Sequence, residues 1–260
     1  MSEIRVIYST FKLHLSQSFS RATFKFCIIV QPIIFTFIMC MMYKDSKHAN
    51  YANYVILGSG LSTLWSAICF SSAGDIERER YMGTLETLFC CPSKFTSIII
   101  GKVLANTFLG LSGIVISIAF TKVFFNQNLY IKHVFLFVLS FILMILSFIS
   151  ISMLISPVFT LSKNARALMN CMEFPMYILC GFVFPIDMLP SFIRPISYIL
   201  SPSWSTEILK ESSLGISDLH NFYMKIAVLC IICMIYAVIS RALFKCIDRK
   251  TRIDASLGVS

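Results

Sequence analysis

Apolar residues run along this chain in long blocks, and the polar residues gather between them. Six blocks stand out, at about 24–43, 51–73, 97–120, 134–155, 167–184 and 222–244. A hydrocarbon core of about 30 Å is crossed by roughly twenty helical residues, so each block is long enough, or nearly so, to span a bilayer. Pro32 falls inside the first block, where a kink is tolerable if neighbouring helices satisfy the freed carbonyl. Residues 1–23 carry a different pattern. Ile4, Ile7, Tyr8, Phe11, Leu15 and Phe19 fall on one helical face, and Arg5, Ser9, Lys12, Ser16 and Ser20 on the other. Such a helix lies in the membrane interface with its basic side towards headgroups. The pattern therefore predicts an all-α polytopic membrane protein: an amphipathic helix over 1–23, then one six-span domain over 24–260.

Two interruptions break the alternation of blocks and short polar links. Between the second and third blocks, 75–94 carries seven charges: Asp75, Glu77, Arg78, Glu79, Arg80, Glu86 and Lys94. These must emerge into water. Met82, Leu85, Leu88 and Phe89 recur within it at three- and four-residue steps, giving a short helix one apolar face. About twenty patterned residues exceed what a hairpin needs, and suggest a docking element for a cytosolic partner. Between the fifth and sixth blocks, 185–204 is apolar yet broken by Pro185, Pro190, Pro195 and Pro202. It is too interrupted to span, and fits a re-entrant or interfacial helical hairpin with Tyr198 and Trp204 at headgroup depth.

Composition agrees with a bilayer as solvent. The 260 residues are 57% hydrophobic and 13% charged, with a mean hydropathy of +0.79, against about a quarter charged in soluble domains. The net charge of +9 reads as a cytoplasmic excess of Lys and Arg, because no basic stripe with interleaved aromatics points to nucleic acid. With six spans, fourteen Lys and Arg lie at the ends, in 75–94 and after the fourth block, against six on the opposite face. Both termini and the 75–94 loop are then cytoplasmic. No cleavable signal peptide is expected at the start. Cys27, Cys40, Cys69, Cys180, Cys230 and Cys233 sit inside apolar runs and act as small hydrophobes, the Cys230–Cys233 spacing included.

Candidate chemistry is sparse. Gly58, Ser62 and Ser66 recur every four residues, with Ser59 and Thr63 alongside, a stripe that lets another helix approach closely, from within the chain or from a second subunit. Glu173 is an acid inside the fifth block, placed for a cationic substrate or for a salt bridge with Lys102 or Arg166. A substrate path or dimer seam is expected to follow Ser59, Ser62, Thr63, Ser66, Asn106, Thr107, Asn170, Glu173 and Tyr177. No paired intramembrane carboxylates, no metal-spaced His pair and no Ser/His arrangement support an intramembrane enzyme. The chain also contains no Gly-x-x-x-x-Gly-Lys-Ser/Thr phosphate loop. An ion-coupled secondary transporter is the rival class, although the internal repeats typical of one are not evident.

Glu77-Arg-Glu-Arg-Tyr-Met-Gly-Thr-Leu-Glu-Thr-Leu88, followed by Cys91-Pro-Ser93 and Gly101-Lys102, resembles the signature of the membrane subunits of type-2 ABC exporters. Cys180-Gly-Phe-Val-Phe-Pro-Ile-Asp-Met-Leu-Pro190, then Pro202 and Leu214-Gly215, is similar to the same family's stretch between its last two spans. The order of amphipathic start, six spans and outer hairpin fits as well. Cys180, where a small polar residue is usual, and Lys210, where Arg is common, depart from the pattern. The resemblance implies a non-catalytic permease of a bacterial cell membrane, binding no cofactor itself. A separate cytosolic ATPase would bind ATP and Mg, and a second permease chain, identical or related, would complete the transporter. It implies a coupling helix formed by Glu77, Arg78, Glu79, Arg80, Met82, Gly83, Thr84, Leu85, Glu86 and Leu88. Its apolar side would anchor in the ATPase while its charges set the rim.

Overall fold

The computed structural model describes residues 3–20, 25–43, 51–69, 74–84, 93–127, 129–162, 164–216 and 218–254, with the side chains at 76, 77, 161, 166 and 248–254 set aside. Among the described residues all regular structure is helical, without a strand. Its helices are α1 (Glu3–Ser20), α2 (Gln31–Tyr43), α3 (Tyr51–Cys69), α4 (Asp75–Tyr81), α5 (Phe95–Phe125), α6 (Val134–Leu161), α7 (Ala165–Leu179), α8 (Arg194–Ile199), α9 (Ser201–Leu214) and α10 (Leu219–Asp254). A π-helical turn, Phe26–Val30, leads into α2 just before Pro32. Proline cannot donate to the carbonyl four residues back and its ring crowds that group, which suits a widened turn at this point.

The architecture is built around α3. Every residue in it except Tyr51 and Tyr54 is buried. It lies against α5 at a separation only glycine permits: a Cβ at Gly60 would stand 2.6 Å from Ile114 Cγ1 and 2.9 Å from its Cα. Gly110 meets Leu64 and Gly113 meets Thr63 in the same way. Helix α2 joins them through hydroxyls, with Thr36, Ser59 and Ser117 within 3.0–3.1 Å of one another. Thr36 and Ser59 donate to the carbonyls of Pro32 and Val55, which leaves Ser117 to donate within the triad. On its other side α3 buries Leu57, Leu61 and Trp65 in one cluster with Phe148 of α6 and Phe182 beyond α7. Trp65 meets Phe148 edge-on, and Phe148 stacks on Phe182 at 5.9 Å.

Four helical stretches among the described residues are long and apolar enough to cross a membrane: Phe26–Tyr43, Phe95–Phe125, Val134–Thr160 and Leu219–Ile247. The second and fifth apolar blocks form the shorter or more polar helices α3 and α7. Helix α3 is dilute in large apolar side chains because protein surrounds it. Helix α7 has 15 residues and stops ahead of the block's expected end, where Gly181 takes φ +70°. Helices α5, α6 and α10 run beyond their blocks, to 31, 28 and 36 residues. The proline-broken stretch becomes a 3₁₀ turn, Ile186–Met188, then α8 and α9, with a proline in the first turn of each helix.

Helix α1 rests along the first half of α5, where Gly101 lies under the Ile7 carbonyl and Thr10. Its inward stripe is not the expected apolar face. His14 and Ser18 are buried there, while Ile4, Tyr8 and Phe19 remain exposed. That outward apolar row is what an interfacial helix presents to lipid.

A Leu at Gly60 would force α3 and α5 apart. Gly60→Leu is expected to cost about 1–3 kcal/mol or more and to lower the detergent-solubilised melting temperature clearly. Gly74→Ala, at a position with no atom within 4 Å of the added Cβ, should leave it unchanged.

Candidate functional site

Helix α4 is short, and three of its side chains tie it to three different helices. Asp75 Oδ2 lies 3.2 Å from His14 Nε2 of α1, and the same nitrogen is 2.9 Å from Asn106 Oδ1 of α5. Asn106 Nδ2 donates to the Lys102 carbonyl, so its oxygen faces the imidazole. With acceptors on both sides, Nε2 carries the proton. Glu79 forms a short ion pair with Lys102 of α5, both largely screened from water. Arg80 donates from Nη1 and Nη2 to the carbonyls of Ser162 and Thr160, at 2.5 and 2.7 Å. Those oxygens close the end of α6, where a helix leaves its carbonyls unpaired and favours a cation.

The helix ends in a tight turn, with Met82 N–H donating to Arg78 O and Gly83 N–H to Arg80 O. Gly83 takes φ +68° with open space around it, a conformation suited to glycine. Around this turn Tyr81 is 93% exposed and Met82 59% exposed, and Arg78 and Thr84 are exposed too. The site thus has a braced inner side and a bare outer side. Glu79 and Arg80, expected on the rim, have their charges matched inside the chain, because each reaches a helix that lies beneath α4. Leu85, Glu86 and Leu88, with the Glu77 side chain, lie outside the described residues. His14 and Asp75 were missed as a pair; the signal was a histidine on the buried stripe of an otherwise amphipathic helix.

The polar positions expected along a path or seam fall into separate groups. Ser59 belongs to the hydroxyl triad. Ser62, Thr63 and Thr107 donate to carbonyls four residues back. Asn106 belongs to the α4 site, and Asn170 is exposed. Ser66, Glu173 and Tyr177 do meet. Ser66 Oγ and Tyr177 OH donate to Glu173 Oε1 at 2.6 and 2.7 Å, and Gln31 Nε2 donates to Ser66 at 2.9 Å. Glu173 is 5% exposed and is held by hydroxyls, while Lys102, one of its two expected partners, pairs with Glu79. The Arg166 side chain lies outside the described residues. Gln31 was missed, although a polar residue beside Pro32 in an apolar run marks it.

At the opposite end of α3 a second group fastens the turn after α7. Lys210 of α9, buried, donates from Nζ to the carbonyls of Gly181 and Phe182 at 2.7 and 3.2 Å. Tyr43 OH donates to Val183 O at 2.8 Å. A Cβ on Gly58 would stand 2.3 Å from the Phe182 oxygen. Three successive carbonyls are thereby contacted from α9, α3 and α2. Burial pushes the Lys210 ammonium down to about 7. Among the described residues no group of His, Cys, Asp and Glu is disposed to hold a metal ion.

Residues 30–242 match the family model described as ABC-2 family transporter protein, and the chain belongs to that family. With its long apolar helices, it is a multi-pass membrane protein. It is 28% identical over 148 residues to the probable multidrug ABC transporter permease YbhS of Escherichia coli strain K12, and equally to that of strain O157:H7. The match covers 54% of this chain and 37% of each relative's length.

Two outcomes follow. Removing a charged capping group costs about 1.5–3 kcal/mol, so Arg80→Ala should speed hydrogen exchange over 75–84 by roughly ten- to a hundredfold, with little change in α10. For Lys210 the unfolded chain binds the proton up to its ordinary value while the folded chain releases it near 7. Stability contributed at this position is therefore lowest below pH 7 and rises from pH 7 to 9. The melting temperature of the wild type should gain on that of Lys210→Met across that interval; a pH-independent difference would contradict it.

Proposed function

We propose that this chain is the membrane permease of an ATP-driven ABC exporter, and that α4 with its following turn is where a separate cytosolic ATPase seats. The observation that carries the reading is the two-sided α4. Tyr81, Met82 and Arg78 are free for a partner, while Asp75, Glu79 and Arg80 are joined to α1, α5 and α6. A force applied to the bare side reaches three helices through short polar links. A loose surface loop would transmit little. An apolar turn ringed by charge suits a helix-in-groove contact, with rim charges selecting the partner.

In this reading the six apolar blocks are six passes, with α3 enclosed by protein and α7 keeping one face uncovered. Both termini and α4 lie in the cytoplasm of a bacterial cell, and 185–204 forms a re-entrant element on the outer side. The partner ATPase binds ATP and Mg, in keeping with the lack of a phosphate loop here. A second permease, identical or related, completes the pathway. Exposed Asn170 and Phe174 of α7 and the buried Glu173 group stand beside that seam. The name of the E. coli relatives adds drug-like compounds as the cargo class.

Tyr81→Asp combined with Met82→Lys alters exposed side chains only, so the variant should insert and fold normally. It should lose ATPase co-purification and transport. Arg80→Ala should retain the ATPase and lose most stimulated turnover, since its defect lies in the link. Normal ATP-dependent transport by both variants would overturn the assignment. The buried Glu173 favours the rival of an ion-coupled carrier; transport driven by an ion gradient without nucleotide would establish that rival.

A further inference from the structure

At the Lys210 end of α3, a cleft of about 290 Å³ opens between α3, the turn after α7, and α8 and α9. Two aromatic side chains, Tyr54 and Tyr198, line it, together with the carboxylates of Asp187, Glu207 and Glu211 and the Lys210 side chain. The α4 site is at the other end of α3, about 28 Å away for 19 residues of helix. The cleft is therefore distinct from the coupling site.

We infer that this cleft is a binding site for an organic monocation of the quaternary-ammonium type. Its lining places three acidic side chains around one basic one, in a protein whose formal charge is +9. Lys210 does not present its N–H groups to the space, because they are directed at the carbonyls of Gly181 and Phe182. Its Nζ lies 5.2 Å from the centroid of the Tyr54 ring, so the basic group of this wall is held between that ring and the two carbonyls. Glu207 and Glu211 are held in place from behind by Lys225 of α10, which fixes their positions without filling the cleft. Asp187 is exposed at the mouth. Arg194 donates to the backbone oxygens of Asp187 and Leu189, and Lys132 lies against Gly215. Neither belongs to the lining, and neither forms an ion pair with Asp187.

A divalent metal fits the site poorly, since these carboxylates do not converge as chelating ligands. A diffuse charge surrounded by methyl or methylene groups fits it well. Such a cation is only weakly hydrated, gains from aromatic faces, and needs carboxylates nearby rather than in direct coordination. The volume of about 290 Å³ suits a compact ammonium.

The inference concerns equilibrium binding by this chain alone, so its failure is separable from failure of the ATPase reading. The full chain in lipid nanodiscs, with no ATPase present, is titrated with radiolabelled tetraethylammonium. Choline and its neutral isostere 3,3-dimethylbutan-1-ol serve as competitors. Saturable binding is expected, with choline competing about tenfold or more better than the isostere. Asp187→Asn with Glu207→Gln should weaken binding about tenfold or more, and so should Tyr54→Leu, while Tyr54→Phe keeps the ring and should retain it. Melting temperatures of all variants establish that they are folded, and Asp187→Asn alone, at an exposed position, gives a measurable decrement if the double variant is not. Absence of saturable binding, equal competition by the neutral isostere, or indifference to the Asp187 and Tyr54 substitutions would each overturn the inference.

Discussion

Helix α3 can carry glycine, serine, threonine and asparagine through the middle of this protein because protein, not lipid, surrounds it. In hydrocarbon a hydroxyl or amide without a partner costs several kcal/mol. Each of these groups finds one close by: Ser59 in the triad with Thr36 and Ser117, Ser66 on Glu173, Asn53 on the backbone of Tyr130. The small residues also set the spacing. Gly60 on α3, with Gly110 and Gly113 on α5, brings two backbones so close that any larger side chain at these positions would separate them. The surrounding helices are long and apolar because they carry the burden of facing lipid, which leaves α3 free to be polar.

The two ends of α3 are organised on opposite principles. At the α4 end, an ion pair, a histidine–carboxylate contact and a helix cap link one short helix to three longer ones, and only its tip is bare. Charged contacts of this kind are stiff and directional, since breaking one partner leaves a buried charge without compensation. At the other end the turn after α7 is held by a lysine, a tyrosine and a close glycine contact, all on backbone oxygens. These contacts satisfy carbonyls released where α7 stops short.

Between these ends lies the Glu173 group, joined to α2 through Gln31 and Ser66 and to its own helix through Tyr177. It links α3 and α7 by hydrogen bonds from Ser66 and Tyr177 to one carboxyl oxygen, and α2 through the bond from Gln31 to Ser66. The exposed face of α7 carries Asn170 and Phe174 next to the buried group, so any partner covering that face would sit within one helix width of it.

Much of this could be read from residue order. The length of the apolar blocks, the density of charge at 75–94 and the prolines around 185–202 are local properties, and local properties decide whether a stretch prefers hydrocarbon, water or a turn. The helix at the start was legible for the same reason, but not the face it packs inward, where His14 and Ser18 are buried and Ile4 and Tyr8 are not. What the order of residues left undetermined was pairing. Whether Glu79 faces a partner or Lys102, whether Glu173 answers to a base or to two hydroxyls, and whether Lys210 is an outer charge or a cap on Gly181 and Phe182 all depend on helices brought together from distant parts of the chain. A lysine 23 residues away or a carbonyl 82 residues away has no signature in local periodicity, and only the packing of the helices brings those partners within reach.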